Sequence, residues 1–316
     1  MGGWIAGISV FCFAASYTVA LALEVSRMLF RSGIRGAVML GFAVAGLAAQ
    51  ILFLGYRAYL AVSHSSPVLP LSSSFDWFLI AALLLVGLYL YLTIYHPTAA
   101  IGLFLLPVVL VLIVAAEFLA NDQPFSKDVA GHFWLALHLG FWMLGTVAVL
   151  VGFVAGIMYF VQAHRLRIKK LARRGLQLPS LEWLERINSR ALGISVLGLT
   201  VGFISALVLN LVNHAEPQAT VPWTDPVIVA SALVTLWVLA VAVFNAVYKP
   251  AQHGHKVAYL TVTTGVLVLC QLAVSLLVES KHGSPRSDPP DAVVSQRPLN
   301  QTIEFSTVHP EYSSPS

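Results

Sequence analysis

The sequence predicts an all-α fold, a polytopic transmembrane helical bundle of about eight spans, and three observations predict it. The chain of 316 residues has a mean hydropathy of +0.82 and only 10% charged residues, a balance suited to a bilayer rather than to water. Apolar runs recur from near the N-terminus to about Val278, each close to the ~20 residues that cross ~30 Å of hydrocarbon at ~1.5 Å per residue. These runs are continuous rather than alternating, and backbone groups in lipid must bond within the chain, so helices are expected in place of barrel strands.

In chain order the expected spans are 3 to 24, 37 to 62, 75 to 96, 98 to 120, 132 to 162, 191 to 213, 225 to 248 and 256 to 279. The first carries Trp4, Ser9 and Tyr17 with no basic segment before it, which predicts a retained span rather than a cleaved signal peptide. Asp76 opens the third span behind Ser72, Ser73 and Ser74, the pattern of a helix cap. Glu24, Arg57 and Glu117 lie near span ends, where pairing or snorkelling accounts for a charge. Before the sixth span, Leu178, Leu181, Leu184 and Ile187 fall at helical spacing among Glu182, Glu185 and Arg186. This predicts a short amphipathic helix lying on the interface, started by Pro179 and Ser180. Residues 1–280 thus form one transmembrane domain, and the Pro-, Ser- and Asp-rich segment 281–316 reads as a disordered tail.

Charge placement predicts orientation. Arg27, Arg31 and Arg35 follow the first span, and Arg165, Arg167, Lys169, Lys170, Arg173 and Arg174 follow the fifth. The loops of the opposite side, 63 to 74, 121 to 131 and 214 to 224, hold one basic residue, Lys127. The basic side is expected to be cytoplasmic, which puts both termini and Trp223 on the extracytoplasmic face. The net charge of +4 is therefore a topology signal and not a surface for nucleic acid. Cys12 and Cys270 lie inside apolar spans and read as small apolar fillers, with a disulfide or metal pair as the alternative.

Ten histidines are the chemical oddity of a chain so poor in charge. His132 and His138 are six residues apart, about 600° of helix rotation and ~9 Å of rise, so they do not converge on one atom. His138 is the deeper, and an ionisable group within a span is a functional candidate by default; a neutral imidazole bonded to a neighbouring helix is the plain alternative. His282 follows the last span and is expected on the same outer side as His138. His214 is a third outward candidate, whereas His253 and His255 sit in a basic inner loop. Trp223-Thr224-Asp225-Pro226 opens the seventh span, where an Asp-Pro caps a helix and a Trp fits an interfacial belt. HExxH, P-loop, GxSxG and CxxC patterns are missing, which removes zinc-protease, nucleotide and hydrolase readings. Little paired charge within the spans speaks against a solute transporter.

Several stretches, in this order, resemble the cytochrome c assembly family, the CcsA and HemX-like membrane proteins, over most of residues 1 to 283. They are Ser74-Phe75-Asp76-Trp77, the long fifth span from His138 to Tyr159-Phe160-Val161-Gln162, Leu178-Pro179-Ser180-Leu181-Glu182-Trp183-Leu184-Glu185-Arg186, Leu199-Thr200-Val201-Gly202, and Gly254-His255-Lys256-Val257-Ala258-Tyr259-Leu260. The resemblance implies a protein of the bacterial inner membrane that binds or presents haem on its outer face for attachment to apocytochrome c, as a possible component of a haem lyase system. It implies His138 and His282 as axial ligands of haem iron, with Trp223 and Asp225 as the cofactor platform. A CcsB-like membrane subunit and apocytochrome c are the implied partners. The family's tryptophan-rich segment is thinned here: Ala215 to Pro222 contain no Trp, and Val227 follows the Asp-Pro. That departure keeps a second expectation, a HemX-like accessory or regulatory protein that retains the fold without handling haem.

Overall fold

Apolar sequence with few internal breakers closes into helices, and among the described residues there are eight. The computed structural model describes residues 9–29, 33–63, 71, 73–97, 99–121, 132–168, 177–212, 222–247 and 255–278. The helices are α1 (Val10–Leu29), α2 (Gly33–Ser63), α3 (Ser74–Tyr95), α4 (Gly102–Leu119), α5 (His132–Arg167), α6 (Leu181–Val212), α7 (Pro226–Val247) and α8 (His255–Leu277). Seven of them, α2 to α8, are long and apolar enough to cross a membrane, while the apolar part of α1, Val10–Ser26, is shorter. The chain is a multi-pass helical membrane protein, and no strand occurs among its described residues.

Two expectations change. The segment around Leu181 is not a separate interfacial helix: it runs unbroken into the sixth span as the first turns of α6, a helix of 32 residues. Polar Asn188, Ser189 and Arg190 interrupt the hydrophobicity there but bring no Gly or Pro, so nothing ends the backbone ladder. Leu184 and Asn188 are fully buried, which anchors that end of α6 in the bundle. The expected start does hold, because the Ser180 hydroxyl accepts from Trp183 N at 3.3 Å. The cysteines are also placed differently. Both are free and exposed, which removes the disulfide alternative.

Polar residues within the apolar helices pair with one another. Ser73, rather than Asp76, is the N-cap of α3; Asp76 completes a capping box with it and accepts from Arg57 Nε at 2.8 Å. The guanidinium also stacks over Phe75, 4.9 Å from the ring centroid. Tyr17 donates to Gln50 Oε1 at 2.7 Å, and Gln50 Nε2 donates to the Leu79 carbonyl at 3.0 Å, so one buried relay ties α1, α2 and α3.

The tightest crossing is that of α5 with α6. A Cβ on Gly198 would lie 2.6 Å from the backbone of Gly145, and one on Gly202 would lie 2.8 Å from Trp142 N. Gly198 and Gly202 are four residues apart and share a helix face, the small-xxx-small arrangement that lets two backbones touch in lipid. This crossing positions the site.

Candidate functional site

At one end of the bundle the first turns of α3 and α7, the first half of α5 and the last turns of α6 and α8 surround a cavity of about 260 Å³. Its walls are mainly apolar and aromatic, and none of the described residues lining it is charged. The volume lies just below the roughly 300–1,000 Å³ of small-molecule sites.

His138 lines this cavity from α5. Its Nδ1 lies 2.8 Å from the Gly202 carbonyl of α6, and since a carbonyl only accepts, Nδ1 carries the proton. The lone pair of the ring is then on Nε2, the tautomer that metal-ligating histidines adopt. Without a side chain at Gly202 the two helices approach closely enough for this bond. Trp142, one turn below His138, packs on the same wall with ring centroids 6.0 Å apart.

Trp223 also lines the cavity and remains 47% exposed, as suits an indole at a mouth. Asp225 is not part of the wall. It is 6% exposed and caps α7: its Oδ1 accepts from Val227 N at 2.9 Å, while its own amide donates to the Pro222 carbonyl at 2.9 Å. The turn it holds sets Trp223 beside Val227, and both line the cavity. The structure thus brings His138 and Trp223 to one cavity with Asp225 behind them. His282, like His214, His253 and the tail 281–316, lies outside the described residues.

Sequence reasoning missed four further cavity residues, Trp77, Trp142, Thr146 and Gln271. Trp142 was within reach, since it stands at i+4 from His138 and so shares its helix face. Gln271 also carried a signal, being an amide inside an apolar span. Trp77 stands in the family-like stretch Ser74-Phe75-Asp76-Trp77, but neither it nor Thr146 carries a local mark of a cavity wall, because only tertiary packing brings their helices together.

No cluster of three or more His, Cys, Asp and Glu suited to a metal ion occurs among the described residues. An iron that brings its own equatorial ligands needs only axial imidazoles, and His138, with its lone pair on Nε2 and aromatic side chains beside it, fits one such position.

The fold and the cavity define a class, a polytopic helical membrane protein with an aromatic-walled cavity at one end of its bundle and no charge among the described residues that line it. The family model described as Cytochrome C assembly protein matches residues 49–282, and the chain belongs to that family. Membership gives it a role in cytochrome c biogenesis. No curated protein and no solved structure matches the chain. The matched stretch begins within α2 and contains every residue that lines the cavity.

Proposed function

We infer that this protein binds haem in the cavity beside His138 and presents it for attachment to apocytochrome c. The observation that carries the reading is the 2.8 Å bond from His138 Nδ1 to the Gly202 carbonyl, which orients the imidazole and leaves Nε2 as the basic nitrogen beside an aromatic cavity. His138 and His282 would together hold the iron of the haem. Trp223 supplies a flat apolar face, and Asp225 holds the turn that aims it. Haem, when bound, supplies the redox-active iron and the vinyl groups that take up cysteine thiols; the chain binds it, orients it and keeps water from one face. The charge asymmetry of the loops supports an extracytoplasmic position for this end of the bundle, hence an inner-membrane protein with both termini outside. A CcsB-like membrane subunit and apocytochrome c are the partners this reading requires. We keep the division into a transmembrane domain over residues 1–280 and an extracytoplasmic segment over 281–316 as part of this proposal, with His282 of that segment joining the site.

Purification of the full chain in detergent and an absorption spectrum test this. A Soret band is expected, weakened in His138→Ala or His282→Ala and lost in the double variant. A folded protein that carries no haem, or a band indifferent to both substitutions, overturns the reading.

A second reading, a HemX-like accessory protein without haem handling, is favoured by the thinned segment, where Trp223 is the one tryptophan between Ala215 and Pro226, and by the engagement of Asp225 in capping. Haem-free protein with intact helix content is its expected outcome in the same experiment.

A further inference from the structure

Three buried hydrogen-bonding atoms on the cavity residues have no partner among the described residues: Trp77 Nε1 from α3, Thr146 Oγ1 from α5 and Gln271 Oε1 from α8. Thr146 is 7% exposed and Gln271 5%. Native structures rarely leave such atoms unbonded, since burial has stripped their water; a group from outside the chain is the usual remedy. Several helix hydroxyls, among them Thr235, Thr264 and Ser205, satisfy themselves on the carbonyl four residues back at 2.7–2.8 Å. The hydroxyl of Thr146 does not. Gln271 spends its Nε2 on Ser231 Oγ at 3.2 Å, which turns the carbonyl end of its amide away from that bond.

The chemistry of the three atoms restricts what they hold. An indole N–H only donates, an amide oxygen only accepts, and a hydroxyl does either. With no charged residue among those described around the cavity, a charged group there would be desolvated without a counterion. A carboxylate also has no proton to give Gln271. The matching group is uncharged and carries both an O–H and an acceptor oxygen.

We propose that Trp77, Thr146 and Gln271 form a neutral hydrogen-bonding subsite in the cavity, which takes the hydroxyl or the protonated carboxylic acid of a membrane-dissolved ligand. That group comes from one of two sources, a side-chain acid of the porphyrin or the hydroxyl of a separate amphiphile. The subsite rests on the reading of the cavity as a ligand site, and not on ligation of iron.

The full chain in detergent is titrated with protoporphyrin IX, with its dimethyl ester and with a long-chain alkylphenol, following tryptophan quenching. Porphyrin as the source predicts acid bound roughly three- to tenfold more tightly than ester, the worth of one net hydrogen bond. Gln271→Leu and Thr146→Val then erase the difference. An amphiphile as the source predicts alkylphenol binding weakened by the same variants, with acid and ester alike. Thr146→Val keeps its thermal stability in either case, because its hydroxyl has no internal bond to lose. Overturning results are no binding of any probe, binding that neither variant changes, or a loss of stability in Thr146→Val. Iron-free porphyrin separates this test from the haem reading: His138→Ala weakens the Soret band of haem, whereas the acid–ester difference of the iron-free porphyrin depends on Thr146 and Gln271.

Discussion

His138 shows how much a single residue's setting decides. A histidine within a span stands out in sequence because charge there is costly, yet its neighbours leave open whether it is a ligand or a satisfied neutral ring. The bond to Gly202 joins these readings, since the hydrogen bond that satisfies Nδ1 also defines Nε2 as the basic nitrogen. Asp76 is the second case, read from three preceding serines as a cap and found to be an N3 partner in a capping box that also holds Arg57. That additional link is invisible in sequence because it joins two helices. Asp76→Ala removes the acceptor for Ser73 and Arg57 together and is expected to cost about 2 kcal/mol, discounted because Arg57 is partly exposed. Asp76→Asn keeps the cap and should cost about half. Denaturant unfolding in mixed micelles measures both.

Helices were legible where hydropathy is continuous and misjudged where it is not. Spans three, four, seven and eight begin and end within a few residues of expectation, since Ser73, Asp225 and the loops beside them mark their limits. The amphipathic spacing of Leu178, Leu181, Leu184 and Ile187 reads as a separate interfacial helix, yet nothing between it and the sixth span ends the backbone ladder, since polarity alone does not end a helix. Gly145, Gly198 and Gly202 were legible only as small residues, and their use, the direct contact of α5 with α6, is a property of the pair. Gly202→Val would place methyl groups against the Trp142 backbone, for an overpacking cost of about 1–3 kcal/mol. It should also weaken or shift the Soret band by moving the carbonyl that orients His138. An unaltered spectrum together with unaltered stability would show that the crossing tolerates a side chain.

For the whole molecule, composition revealed the bilayer, and loop charges suggested a direction across it. What composition could not reveal is the cavity, because its lining residues come from helices as distant in sequence as α3 and α8. Direction is testable by cysteine labelling after Cys12 and Cys270 are replaced by Ala, both being free and exposed. On intact cells a membrane-impermeant maleimide is expected to reach Asp122→Cys and to miss Gly175→Cys until the membrane is permeabilised. The reverse pattern would put the cavity on the cytoplasmic side and end the proposal of delivery to an extracytoplasmic cytochrome.

The unbroken α6 has a mechanical consequence. Its early residue Trp183 packs edge-on against His96 at the end of the bundle opposite the cavity, with ring centroids 5.3 Å apart. Nineteen residues later, ~28 Å along the axis, comes Gly202. Because no break in the helix separates them, the turn that carries Trp183 and the carbonyl that orients His138 are held at a fixed spacing and rotation along one element.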